Sequence, residues 1–97
     1  MSLQATFDDL AYNGKQTEMT TLIQQNPEYQ FDFKSALWNA CYRGHKKIAE
    51  LLIETYKLTT FNYSLRCACV GGHKEIAEWL SETYKAVMYG DIFESML

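Results

Sequence analysis

Three thiols and two imidazoles are the residues of this 97-residue chain best suited to chemistry: Cys41, Cys67, Cys69, His45 and His73. Thiolate and imidazole are the ligands of zinc, yet Cys67-x-Cys69 lacks the two-residue spacing of a zinc knuckle. The competing reading makes Cys41 and Cys69 small core residues where helices approach closely, because a free cysteine behaves as a small hydrophobe. The odd number of cysteines points to reduced thiols, in the cytoplasm or another reducing intracellular compartment. No Ser/His/Asp set and no phosphate-cradling glycine loop accompanies them. The two histidines recur at a fixed spacing, which is how scaffold residues behave and not a unique reactive centre. The expectation is a non-catalytic protein that needs no cofactor.

The elements that position these residues follow from that recurrence. Ala40-Cys-Tyr-Arg-Gly-His-Lys-Lys-Ile-Ala-Glu-Leu-Leu-Ile-Glu-Thr-Tyr-Lys57 returns, 28 residues later, as Ala68-Cys-Val-Gly-Gly-His-Lys-Glu-Ile-Ala-Glu-Trp-Leu-Ser-Glu-Thr-Tyr-Lys85. A repeat of this length is one supersecondary unit stacked on copies of itself, whose natural product is a binding surface. Leu37, Ala40 and Cys41 recur at helical steps, Gly44 interrupts, and Ile48, Ala49, Leu51 and Leu52 resume the period. Each unit is thus a helix, a tight turn at Gly44 or Gly72, and a second helix from near His45 or His73 toward Tyr56 or Tyr84. A residue without Cβ takes positive φ there at no steric cost. The predicted architecture is all-α, a solenoid of stacked helix-turn-helix units with short connecting loops.

The second helices carry Lys46, Lys47, Glu50 and Glu54, then Lys74, Glu75, Glu78 and Glu82, on one face, a solvated exterior with Lys46–Glu50 and Lys74–Glu78 as i,i+4 pairs. A divergent copy opens the chain: Phe7-Asp-Asp-Leu-Ala-Tyr-Asn-Gly14 matches Leu37 to Gly44. Met19, Leu22 and Ile23 then correspond to Ile48, Leu51 and Leu52 after one extra residue in the turn. Gln4, Thr17, Thr20, Thr21, Gln24 and Gln25 suit the polar outer face of a terminal unit. Asn26-Pro27 ends its second helix. After Lys85 the phase continues through Phe93 and Leu97, so the tail is read as a half-unit cap over Trp79 and Leu80 or as the stub of a longer array. The expected organisation is one domain, 1–97, with units at about 5–30, 33–60 and 61–88 and the tail at 89–97.

Composition narrows the partners. Apolar residues make up 47% and aromatic ones 14%, with a single proline, which excludes a disordered chain. A net charge of −3 with scattered Lys and Arg gives no footprint for a phosphate backbone, so nucleic acid is not the expected partner. The longest apolar run is far below the ~20 residues of a membrane-spanning helix, and the opening residues lack the pattern of an export signal.

The residues assembled so far resemble the ankyrin repeat, through Leu65, Ala68, Gly72, His73, Glu75, Ile76 and Leu80 in one unit and Leu37, Ala40, Gly44, His45, Ile48, Leu51 and Leu52 in another. The opening unit keeps Ala11, Gly14 and Leu22. Thr-Pro of that signature is replaced by Ser35-Ala36 and Tyr63-Ser64, so the opening turn of each unit is not guaranteed. The signature histidine is replaced by Trp38 and Arg66. The period is 28 residues against the family's about 33. The difference falls in Lys57-Leu-Thr-Thr-Phe61, where the family builds a protruding finger, implying short loops similar to the compact units of large DNA viruses and some intracellular microbes.

The resemblance implies a protein partner held on the concave first-helix face; the alternatives are a structural or scaffolding fragment of a longer array, or self-association through the C-terminal tail. The expected state is a monomer, with a weak homodimer as the other reading. Carried over by position, the variable pairs before the turning glycine are Tyr12 and Asn13, Tyr42 and Arg43, and Val70 and Gly71. Tyr12, Tyr42 and Val70 form a ladder with Arg43 beside it, and tyrosine and arginine are enriched in binding hot spots. Packing of those tyrosines between units is the other reading. Trp38 reads as packing or recognition, and Arg66 as leaning over Trp38 or facing a ligand. The resemblance makes His45 and His73 bridges between the backbones of neighbouring turns. The candidate partner-binding residues are Tyr12, Asn13, Trp38, Tyr42, Arg43, Arg66 and Val70.

Overall fold

The computed structural model describes residues 2–59 and 61–85. They form six helices, α1 (Leu3–Tyr12), α2 (Gln16–Gln25), α3 (Phe33–Arg43), α4 (Lys46–Tyr56), α5 (Asn62–Val70) and α6 (Lys74–Tyr84), and no strand among the described residues. Each odd helix packs on the even helix that follows it, and α3 packs against both α1 and α5. The result is an all-α stack of three helix-turn-helix units with the odd helices in one layer. The fourth half-unit expected at 89–97 lies outside the described residues. No described helix is long and apolar enough to cross a membrane.

Small side chains allow the odd helices to approach. Ala11, Ala36, Ala40, Cys41 and Ala68 are fully buried, while Phe7, Leu37 and Leu65 fill the space between the layers, against Met19, Leu52 and Leu80. Truncating Leu37 or Leu52 to alanine would cost about 2–5 kcal/mol through lost transfer energy and the cavity left behind.

The three turns are built alike. The amide of Gly14 donates to Ala11 O and that of Lys15 to Leu10 O; Gly44 and His45 repeat this to Cys41 and Ala40, and Gly72 and His73 to Cys69 and Ala68. Gly14, Gly44 and Gly72 all have left-handed φ, +73°, +85° and +79°, which is the conformation that favours glycine. This identity corrects the expected extra residue in the first turn. Met19 stands where Ala49 stands, and Leu22 and Ile23 where Leu52 and Ile53 stand. The additional length of the first unit lies instead in residues 26–32, which connect α2 to α3 where 57–61 connect α4 to α5.

The loops are short. Lys57, the C-cap of α4, adopts φ +54°, ψ 45°, and Lys85 repeats it after α6; a position that commonly holds glycine is occupied by lysine. Asp32 caps α3, its Oδ1 accepting from the amides of Lys34 and Ser35, whereas α5 starts at Phe61 with no side-chain cap. Gln4 is drawn into this corner, its amide nitrogen donating to Asp8 Oδ1 at 2.9 Å and to Asp32 O at 3.1 Å. Gln4 therefore ties the first unit to the second and is not part of a polar outer face; Thr17, Thr20, Thr21, Gln24 and Gln25 are exposed. Phe33 stacks on Tyr56 at 3.7 Å and Phe61 lies on Tyr84 at 4.7 Å. This aromatic clasp, repeating after 28 residues, closes the second and third hairpins at the end away from the turning glycine.

Two expectations about charges and thiols change. Lys74 pairs with Glu78 at 3.7 Å, but Lys46 reaches Glu75 of the next unit at 3.7 Å, with its ammonium over the Trp79 ring, and does not pair with Glu50. Across the units it meets a carboxylate and an aromatic face together, which no i,i+4 neighbour offers. Cys41 is fully buried, but Cys69, at the equivalent place, is exposed and Cys67 is half-buried. Cys41 lies where α3 packs on α5, close to Cys67; among the described residues no further odd helix stacks beyond α5 to cover Cys69.

Candidate functional site

The identical turns set the register of the odd helices, so equivalent residues stand side by side. Ser35, Trp38, Asn39 and Tyr42 share one face of α3 at steps of three and four; Ala5, Asp8, Asp9 and Tyr12 are their counterparts on α1, and Tyr63, Arg66, Cys67 and Val70 on α5. Contacts confirm the alignment: Ser35 Oγ donates to Asp8 Oδ1 at 2.8 Å.

The upper end of this face is an aromatic stack. The rings of Tyr12 and Tyr42 are parallel-offset, 6.5 Å apart with 26° between planes. The Arg43 guanidinium lies 4.4 Å from the centre of the Tyr12 ring. Offset stacking and a cation on a ring face each hold side chains in a fixed arrangement at an energy of about 1 kcal/mol. Tyr12 is half-buried while Tyr42 is 42% exposed, so the tyrosines both pack on each other and present surface. Val70 extends the row and is 68% exposed. Asn13 is exposed, with its side-chain amide donating back to Asp9 O at 2.8 Å. Gly71 is not a free position: a Cβ there would collide with the Tyr42 carbonyl oxygen.

Lower on the face, Trp38 is half-buried, and its ring meets Tyr63 at 4.6 Å with 59° between planes. Arg66 is exposed and does not lean over Trp38; Tyr63 holds that position because it projects from the preceding turn of α5. Tyr63, 53% exposed, belongs to the candidate face although the repeat signature did not mark it. Its exposure was legible in the sequence as a tyrosine three residues before Arg66 on the same helical stripe.

Of the two histidines expected to bridge neighbouring backbones, His45 does so beneath the face, and His73 has no side-chain hydrogen bond among the described residues. His45 Nε2 is 3.0 Å from Tyr12 O; a carbonyl only accepts, so Nε2 carries the proton. The imidazole lies over Gly14, where a Cβ would come within 2.8 Å of it, and His73 lies in the same way over Gly44.

The thiols do not assemble into a metal centre. Among the described residues no group of three or more His, Cys, Asp or Glu side chains is arranged to hold a metal ion. Burial, with the nearby Cys67 adding to it, pushes the Cys41 thiol up to about 12. Burial also raises Cys67, while the Arg66 charge opposes it. Neither thiol is set up as a nucleophile, since thiolate is the reactive form.

A family model described as ankyrin repeats (3 copies) matches residues 9–91. No curated protein and no solved structure gives a significant match.

Proposed function

The chain belongs to the ankyrin repeat family, and from that premise we propose that it holds a partner protein on the odd-helix face, through Tyr12, Asn13, Trp38, Tyr42, Arg43, Arg66 and Val70, and performs no catalysis. Ankyrin repeats are generally protein–protein interaction modules and typically non-catalytic. The observation that carries the assignment is the stack of Arg43, Tyr12 and Tyr42 beside exposed Val70. Its side chains are ordered by one another before any partner arrives, which lowers the entropic cost of binding. Tyrosine and arginine combine large contact area with polar ends.

The reading is tested by affinity capture with the whole chain and with a Tyr42→Ala/Arg43→Ala variant. Loss of the captured protein at an unchanged thermal midpoint supports it. Equal capture by both proteins refutes the site.

A further inference from the structure

We propose that the segment received by this face presents two carboxylate side chains, about four residues apart in an extended chain with an apolar side chain between them, to Arg43 and Arg66. This rests on the odd-helix face being the binding face and adds the chemistry of its occupant.

The chain is acidic, with a net charge of −3, and contains only two arginines. Both are exposed, and both stand in the odd-helix layer beside the aromatic face. Neither has a carboxylate partner among the described residues, whose ion pairs, Lys46–Glu75 and Lys74–Glu78, use lysines. The Tyr12 ring orients the Arg43 guanidinium without neutralising it. Arg66 sits between Tyr63 and Val70 on one stripe of α5, and the Tyr63 ring rests on Trp38. Two guanidinium groups without a carboxylate partner among the described residues thus flank apolar surface made by Tyr42, Tyr63, Trp38 and Val70.

Guanidinium is weakly hydrated and forks onto a carboxylate through two parallel hydrogen bonds, which makes it the cation suited to an interface. Val70 is level with Tyr42, so Arg43 lies one helix across and about five residues along from Arg66. With helices about 8–10 Å apart and about 1.5 Å rise per residue, the α-carbons from which the two side chains project are separated by roughly 12 Å. An extended segment covers that in about four residues at ~3.3 Å each. Aspartate or glutamate fits better than a phosphate dianion, because Asp8 and Asp9 stand in the neighbouring row on α1 and Asp9 is exposed.

The experiment selects random twelve-residue peptides on the immobilised full chain, then measures binding of synthetic winners by fluorescence anisotropy. The expected result is enrichment of Asp or Glu at two positions three to five residues apart around an apolar residue. Arg66→Glu should weaken a winner at least tenfold at an unchanged thermal midpoint, and exchanging the matching acid of the peptide for lysine should restore it. Winners that need Tyr42 but show no acid enrichment overturn this inference and leave the face assignment standing. The absence of any Tyr42-dependent winner overturns both. Phosphoserine in place of the selected acids binding more than tenfold tighter would overturn the carboxylate assignment.

Discussion

His45 donates from Nε2 to the carbonyl oxygen of Tyr12, 3.0 Å away in the preceding unit. The backbone of Tyr12 is thereby fixed by a scaffold residue while its ring carries Tyr42 and Arg43. Replacing His45 by alanine should leave that carbonyl unpaired and uncover Gly14, costing about 1–3 kcal/mol in chemical denaturation. Glutamine, which can still donate, should recover part of the loss, and no recovery would assign His45 to packing alone.

The three turning glycines should not be equally sensitive. A Cβ at Gly44 would come within 2.6 Å of the His73 ring, whereas at Gly72 nothing among the described residues lies within 4 Å. Gly72→Ala should cost only the left-handed backbone penalty, about 1–2 kcal/mol. Gly44→Ala should cost measurably more, and a β-branched residue at Gly44 more again. Equal melting points for the two alanine variants would show that His73 moves aside freely.

Cys41 should make stability fall with alkaline pH. Its folded thiol is raised from 9.0 to about 12 by burial, so the unfolded chain releases its proton first. The contribution is complete below about pH 9 and is lost progressively as pH rises toward about 12, with a limiting slope of about 1.4 kcal/mol per pH unit. Tyr56 and Tyr84 are also raised by burial, Tyr84 further by Glu54 and Glu50, and bend the curve the same way at higher pH. Comparing wild type with Cys41→Ala between pH 8 and 10 isolates the thiol, and parallel curves would refute its burial. Against a thiol reagent at neutral pH, Cys69 should react first and Cys41 only on unfolding.

Ser64 occupies the place held by Ala36 in the preceding unit and is fully buried, with no hydrogen-bond partner for its hydroxyl among the described residues. Ser64→Ala should raise the unfolding free energy by about 1 kcal/mol, because an unpaired buried hydroxyl loses its hydration for nothing in return. Ala36→Ser should lower it by a similar amount. A destabilised Ser64→Ala protein would mean that the hydroxyl has a partner.

The helices, turns and core of the repeats were legible because one pattern was written twice: Gly44 with Gly72, Ile48 with Ile76, Leu37 with Leu65. What a single repeat signature does not carry is contact between units. Lys46 paired with Glu75, Gln4 bound to Asp32, and Tyr63 on Trp38 each join residues of neighbouring units, 25 to 29 positions apart. Local spacing suggested a nearer partner, Glu50, for the first, and the repeat register suggested Arg66 in the place that Tyr63 takes over Trp38. The clasps Phe33–Tyr56 and Phe61–Tyr84 were visible as aromatics recurring at the period, but their pairing depends on how each hairpin closes. Cys69 shows the converse, since its sequence matches Cys41 and its exposure is decided by the neighbour beyond it.

Engagement of a partner by the odd-helix face can be read residue by residue. Amide chemical-shift mapping with a captured partner or a selected peptide tests it most directly. Perturbations should cluster at Tyr12, Tyr42, Arg43, Tyr63, Arg66 and Val70. Shifts confined to exposed residues of α2, α4 and α6, with those six unmoved, would contradict it.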